Sequence, residues 1–251
     1  MWRTLLSRSL TNHVLLSEQQ RSDHSIFDLF TRTIDDHFLN LRSNNIDQLK
    51  KAKGSLKEKG NWFEEICEAL INLDLLLPGI TVWRFANLPD EHMIKLGFVK
   101  KNGQIDRQDV GIDLVGLRVL PHGEQQWIAI QCKYRQKPLK PSFTPGGKPR
   151  AWKVSWDELS TFYALCARTG EWSQLVVITN CDGIRSKGHQ KTKATAPKEK
   201  TIAHGTFAKI DRRSWAQLCG YEGHQLTATP VTAVNVESLR EKWLQRLQPN
   251  E

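Results

Sequence analysis

The sequence has no long apolar run, no paired-cysteine motif and no phosphate-binding glycine loop, and each absence removes a class of protein. A bilayer span needs roughly 20 consecutive apolar residues, and none is present, so no membrane partner is expected. The five cysteines, Cys67, Cys132, Cys166, Cys181 and Cys219, are odd in number and scattered, without C-x-x-C or Cys/His spacing. That argues against a disulfide scaffold and a structural zinc, and for a reducing, intracellular setting, cytoplasmic or nucleoid-associated. The "PGGK" at 145–148 lacks the rest of G-x-x-x-x-G-K-[ST], and no helicase-like motif accompanies it, so ATP-driven action is not expected. No internal repeat is visible.

What the chain does have is positive charge: 36 Lys and Arg against 27 Asp and Glu, a formal net charge of +9. A pI near 9.4 favours anionic partners, with nucleic acid ahead of a membrane surface. The opening "MWRTLLSRSLTNHVLL" carries Arg3 and Arg8 and no acid before Glu18. That is the composition of a mitochondrial transit peptide, and an ordinary N-terminal helix fits it equally well.

Three regions are expected. Residues 1–55 form a helical N-terminal extension, in which Ile26, Phe27, Phe30, Ile34, Phe38 and Leu41 recur at helical spacing. That stripe needs a partner surface, and a homodimer would provide one. "KKAKGSLKEKG" (50–60) reads as a basic, glycine-punctuated linker. Residues 56–220 read as an α/β domain: a helix "NWFEEICEALINLDLLL", a strand "ITVWRFA", an irregular stretch over 87–108, extended runs "VGIDLVGLRVL" and "WIAIQCKYR" around the turn "PHGEQQ", a helix over 155–168, a strand "QLVVITN", and then a strand around "FAKI" and a short helix "DRRSWAQLCG". Residues 221–251 form a tail in which Asn235 caps a helix lined by Val236, Leu239, Trp243 and Leu247.

The strand "WIAIQCKYR" seats an amide and an ammonium, Gln131 and Lys133, on one side, with Trp127 and Ala129. In a hairpin, paired residue numbers sum to a constant set by the turn. With His122 and Gly123 as a two-residue turn that sum is 245 and Asp113 faces Cys132; a one-residue change moves it opposite Gln131 or Lys133. On the preceding helix, Glu64 falls on the flank of the apolar stripe and Glu65 near the solvent side.

Hard divalent cations such as Mg²⁺ bind oxygen, through one or two carboxylates with waters completing the shell. Asp113 and Glu64 offer charged oxygens, Gln131 an amide oxygen, and Cys132 its backbone carbonyl. One metal is expected, since a neutral Gln leaves less charge to hold two; Mn²⁺ is expected to substitute for Mg²⁺. Lys133 would orient a water or offset charge on a phosphorane.

The segments "GNWFEEICEAL", "DVGIDLVG", "IAIQCKYR" and "LVVITN", in this order, resemble the PD-(D/E)XK nuclease superfamily, most of all its Mrr-like restriction endonuclease branch. The resemblance spans roughly residues 56 to 220, an extent judged from the motif spacing. It implies a restriction-endonuclease-like core with a central mixed sheet flanked by helices, and a catalytic set of Glu64, Asp113, Gln131 and Lys133. A metal-dependent DNA endonuclease follows, for restriction, homing or junction and repair processing; a catalytically inactive nucleic-acid-binding module of the same fold and an RNA nuclease stay open beside it. For substrate contacts the reading points to Lys137, Lys140, Lys148, Arg150 and Lys153 after the strand, and to Arg185, Lys187, Lys191 and Lys193 in a second basic run. Trp152 and Trp156 are either base-stacking residues or loop anchors.

Overall fold

The computed structural model describes residues 1–43, 49–107, 111–138, 143, 147, 150–185 and 198–221; at Ser22 and within 40–56 it describes backbone only. In chain order the elements are α1 (Trp2–Leu15), α2 (Glu18–Asp23), α3 (Ile26–Ser43), α4 (Leu49–Asn72), β1 (Thr81–Arg84), α5 (Asp90–Lys95), β2 (Leu114–Val119), β3 (Gln125–Lys133), β4 (Lys153–Val154), α6 (Ser160–Cys166), β5 (Trp172–Thr179), β6 (Gly183–Ile184), β7 (Lys198–Ile202), α7 (His204–Phe207) and α8 (Arg212–Leu218). No helix among them is long and apolar enough to cross a membrane.

The chain divides into two compact units. One gathers Met1–Ser55, Gln136–Arg150 and the chain from Phe207; the other holds Leu56–Arg135 and Ala151–Thr206. In the helical unit, α1 packs against α3 and α8. Phe27 stacks on Phe207 with ring centroids 4.4 Å apart and on Trp215 at 5.9 Å, and Phe30 tilts against Trp215 at 6.3 Å. Ile26, Phe30, Ile34 and Phe38 are buried as well, so the apolar stripe of α3 finds its partner surface within the chain rather than in a second copy. Each such side chain contributes about 1.5–3 kcal/mol through burial. Leu5, Leu6 and Leu10 of α1 belong to the same core, which gives the acid-free N-terminus a packing role. Asp211 caps α8 by accepting the Ser214 N–H at 2.8 Å.

The second unit is α/β. Its five-stranded sheet runs β1-β2-β3-β5-β7; β1, β2 and β3 pair antiparallel, whereas β3, β5 and β7 pair parallel, so the sheet is mixed. Val115, Ala129 and Val177 on one sheet face pack with Met93, Phe98 and Phe162 from the flanking elements. On the other face α4 approaches β3 and its continuation, with the Phe63 ring 5.7 Å from that of Tyr134.

Four expectations need correcting. The linker expected over 50–60 is helix, because α4 runs unbroken from Leu49 to Asn72. Glycine costs about 1 kcal/mol in a helix interior, but Lys, Glu, Ala and Leu around Gly54 and Gly60 favour helix, and the buried residues Phe63, Ile66, Cys67 and Leu70 anchor its second half. Asp74, at φ 58°, stops it: the Leu75 N–H turns back to the Leu70 carbonyl at 3.0 Å, and the Asp74 carboxylate accepts the Gly79 N–H at 2.9 Å. The irregular stretch over 87–108 contains α5 and an antiparallel bridge between Val99 and Ile105. The last strand is not "FAKI" but Lys198–Ile202, a largely exposed edge strand. Phe207 and α8, expected within the α/β domain, group with the N-terminal helices, since their rings complete that core. The expected helix over 235–247 lies outside the described residues.

Candidate functional site

The hairpin turn holds three residues rather than two. Leu120 donates its N–H to the Glu124 carbonyl at 2.9 Å, Gly123 donates back to Leu120 at 2.8 Å, and Gly123 takes φ 88°, a conformation that favours glycine. Leu114 therefore pairs with Ile130, and partner numbers add to 244 rather than 245. This is the one-residue change that brings Asp113 beside Gln131.

Asp113 stands where β2 begins, and the ladder is irregular there. Its N–H donates at 3.0 Å to the carbonyl of Ile130, which already partners Leu114. Its carboxylate Oδ2 then accepts the Cys132 N–H at 2.6 Å, and the Gln131 Nε2 donates to the same oxygen. The carboxylate thus lies in the sheet plane, in the position of a missing strand carbonyl. Because the N–H and C=O of one strand residue point to the same side, the Cys132 carbonyl also faces the Asp113 side. The Gln131 amide presents nitrogen to the carboxylate, which turns its oxygen away; at 3% exposure this side chain has little freedom to flip. Gly111 makes the approach feasible: it takes φ 114°, and a Cβ there would lie 3.2 Å from the Phe162 backbone nitrogen.

Glu64 comes from α4. The buried Cys132 thiol is pushed well above its usual range, first by burial, then by its hydrogen bond and charge interaction with Cys67, then by the negative charges of Asp113 and Glu64. Both carboxylates are therefore felt at Cys132, where helix and strand meet. Glu64 is also engaged by a residue that no local sequence pattern marks: Arg84 places Nη2 3.1 Å from Glu64 Oε2 and Nη1 3.4 Å from Glu65 Oε1. Glu64 is the less exposed of the two acids, at 21% against 41%, in line with its expected flank position. Burial raises the carboxyl of nearby Glu68, and the Arg84 charge pulls it partly back. The signal for Arg84 in the sequence was only that "TVWR" ends on a cation.

Lys133 is half-buried at the end of β3, on the same face as Gln131. The residues after it are clamped. Its carbonyl accepts the Thr179 hydroxyl at 2.8 Å; Asn180 accepts the Arg135 N–H and donates to the Arg135 carbonyl, both at 2.8 Å; and Arg135 pairs with Glu158. Lys59, on α4, sits 6.0 Å over the Tyr134 ring.

The expected basic contacts separate. Lys153 and Arg185 are both exposed beside one small sheet: Lys153 belongs to β4, which pairs with β6, and Arg185 follows β6 and donates its N–H to the Val154 carbonyl at 2.8 Å. Lys137 and Arg150 are exposed residues of the helical unit. Lys140, Lys148, Lys187, Lys191 and Lys193 lie outside the described residues. Trp156 packs 4.6 Å from Tyr163 and Trp152 rests partly buried on the core, so both act as loop anchors.

Among the described residues no group of three or more His, Cys, Asp and Glu forms a metal cluster. A zinc-type cage is thus absent from them. The oxygens left to consider are the Asp113 and Glu64 carboxylates, both felt at Cys132, and the Cys132 carbonyl, while the Gln131 oxygen is turned away. No protein-family model, no curated protein and no solved structure matches this chain.

Proposed function

We propose that the chain is a Mg²⁺-dependent DNA endonuclease with a restriction-endonuclease-like core, of the Mrr-like branch of the PD-(D/E)XK nucleases, and that Mn²⁺ substitutes for Mg²⁺. One observation carries the reading: the Asp113 carboxylate is locked in the sheet plane by the Gln131 amide and the Cys132 N–H, two residues before Lys133. An aspartate fixed in this way beside a Q-x-K strand has its charge and direction set before any ligand arrives, which is what electrostatic preorganisation requires.

Asp113 and Glu64, with the Cys132 carbonyl, would hold the cation; the Gln131 amide, whose nitrogen faces Asp113 and whose oxygen is turned away, would orient the Asp113 carboxylate instead of binding the metal as expected. When bound, Mg²⁺ supplies charge neutralisation at the scissile phosphate and a lowered pKa for a water. Lys133 would orient an attacking water toward phosphorus and offset the charge that grows on the leaving oxygen as the opposite P–O bond breaks. Lys153 and Arg185 engage backbone phosphates, which add affinity without sequence preference.

The test is cleavage of supercoiled plasmid in Mg²⁺, Mn²⁺ or EDTA by wild type, Asp113→Asn and Lys133→Ala. Asn is preferred to Ala at 113 because it keeps an acceptor for the Cys132 N–H, whose loss would cost about 1–3 kcal/mol of stability. Nicking that requires the metal and falls roughly 10²–10³-fold in both variants, with DNA binding retained, is the expected result. Cleavage of RNA alone would make the chain an RNA nuclease. Binding without cleavage of duplex, branched or single-stranded DNA or of RNA would favour a silent nucleic-acid-binding module, the reading to which the hold of Arg84 on Glu64 gives some support.

A further inference from the structure

We infer that Arg84 is a positioning residue of this site: a built-in counter-ion that holds Glu64 until a divalent cation displaces it, and so sets the metal affinity of the site. The inference rests on the nuclease reading for the identity of the cation.

Arg84 is the last residue of β1 and pairs with Leu114, next to Asp113. The following N–H, of Phe85, donates to the Asp113 carbonyl at 2.9 Å, so the backbone that carries Arg84 is pinned to the residue that anchors the site. From there the side chain reaches α4 and splits its fork between two acids, at 3.1 Å to Glu64 and 3.4 Å to Glu65. A guanidinium built for a permanent pair usually grips one carboxylate with two parallel bonds of roughly 2.7–2.9 Å. Here each acid receives one longer bond, and the Arg84 side chain is 27% exposed, within reach of ions. Glu64, Glu65 and Glu68 fall close together on α4, and Arg84 acts on all three. A divalent cation on Glu64 would relieve the same repulsion, so the two cations compete for one carboxylate.

The experiment is Mn²⁺ binding to the full chain without nucleic acid, read by electron paramagnetic resonance of free Mn²⁺. Arg84→Gln should bind about tenfold tighter than wild type, the worth of one charge-assisted contact. Arg84→Lys keeps the charge without the fork and should fall between the two. Adding Glu64→Gln to Arg84→Gln should abolish the gain. Equal affinity in wild type and Arg84→Gln, lost in Asp113→Asn, would overturn the inference and leave the nuclease reading standing. A gain that survives Glu64→Gln would also overturn it, since it would be a general charge effect. No Mn²⁺ uptake by wild type or by either Arg84 variant would sink both the inference and the metal-dependent reading.

Discussion

The two units of this chain differ in charge and in how their cores are made. Over the sequence, the stretches of the helical unit hold 18 Lys and Arg against 11 Asp and Glu, whereas those of the α/β unit hold 18 against 16. The helical core rests on stacked rings, Phe27, Phe207 and Trp215, brought together from opposite ends of the chain. The α/β core rests on a sheet whose end is tied by Asp113, Gln131 and Asn180. The excess charge and the candidate chemistry therefore lie in different units. Under the proposed function, the helical unit supplies much of the long-range attraction for the polyanion, and the nearly neutral α/β unit supplies the reaction.

The strongest way to break that comparison is Trp215→Ala. Loss of this buried ring should cost about 3–5 kcal/mol of helical-unit stability in urea titrations. DNA affinity should fall while Mn²⁺ uptake by the α/β unit survives; loss of both would show that the units are not separable. Gly111→Ala addresses the other unit. At φ 114° and with 3.2 Å to the Phe162 nitrogen, the added methyl should cost about 1–3 kcal/mol and lower cleavage, with DNA affinity little changed in gel-shift titration. Charge reversal at Lys137 or Arg150 sharpens the division: each should reduce the slope of log affinity against log salt by about 1 and leave Mn²⁺ binding untouched.

The smallest effect belongs to His13 of α1. Burial lowers its pKa first, and the Arg21 and Arg212 charges lower it further, so the folded unit favours neutral imidazole. Its contribution is present above the ordinary value of 6.5 and is lost as pH falls below it toward the lowered folded value, because the unfolded chain takes up the proton first. Amide protection of α1 and α3, taken relative to the intrinsic exchange rate at each pH, should fall over that window, less steeply in His13→Gln.

Much of this was legible because it is local. The stripe of α3 and the flank position of Glu64 follow from helical spacing, and the shared side of Gln131 and Lys133 follows from strand alternation. The sequence leaves the register open by one residue, because a third turn residue, made possible by Gly123, leaves no mark in the hydrophobic pattern. The charged edge strand Lys198–Ile202 has no apolar alternation to announce it. Lys50–Gly60 looks like a linker because glycine is usually a breaker, and only the anchored second half of α4 overrides it. Arg84, and the joining of Phe207 and Trp215 to α3, are contacts between distant parts of the chain, which no local pattern encodes.

The substitution of the Asp113 carboxylate for a strand carbonyl bears on how such a chain would age under drift. A descendant that had lost catalysis would still be under pressure to keep an acceptor at 113, because the Cys132 N–H must be satisfied with or without a substrate. The aspartate could thus outlive the proposed activity. Among the described residues no strand backbone group bonds to the Lys133 side chain, so among relatives of this chain a change at 133, rather than at 113, would be the earlier sign of a fold kept for binding alone.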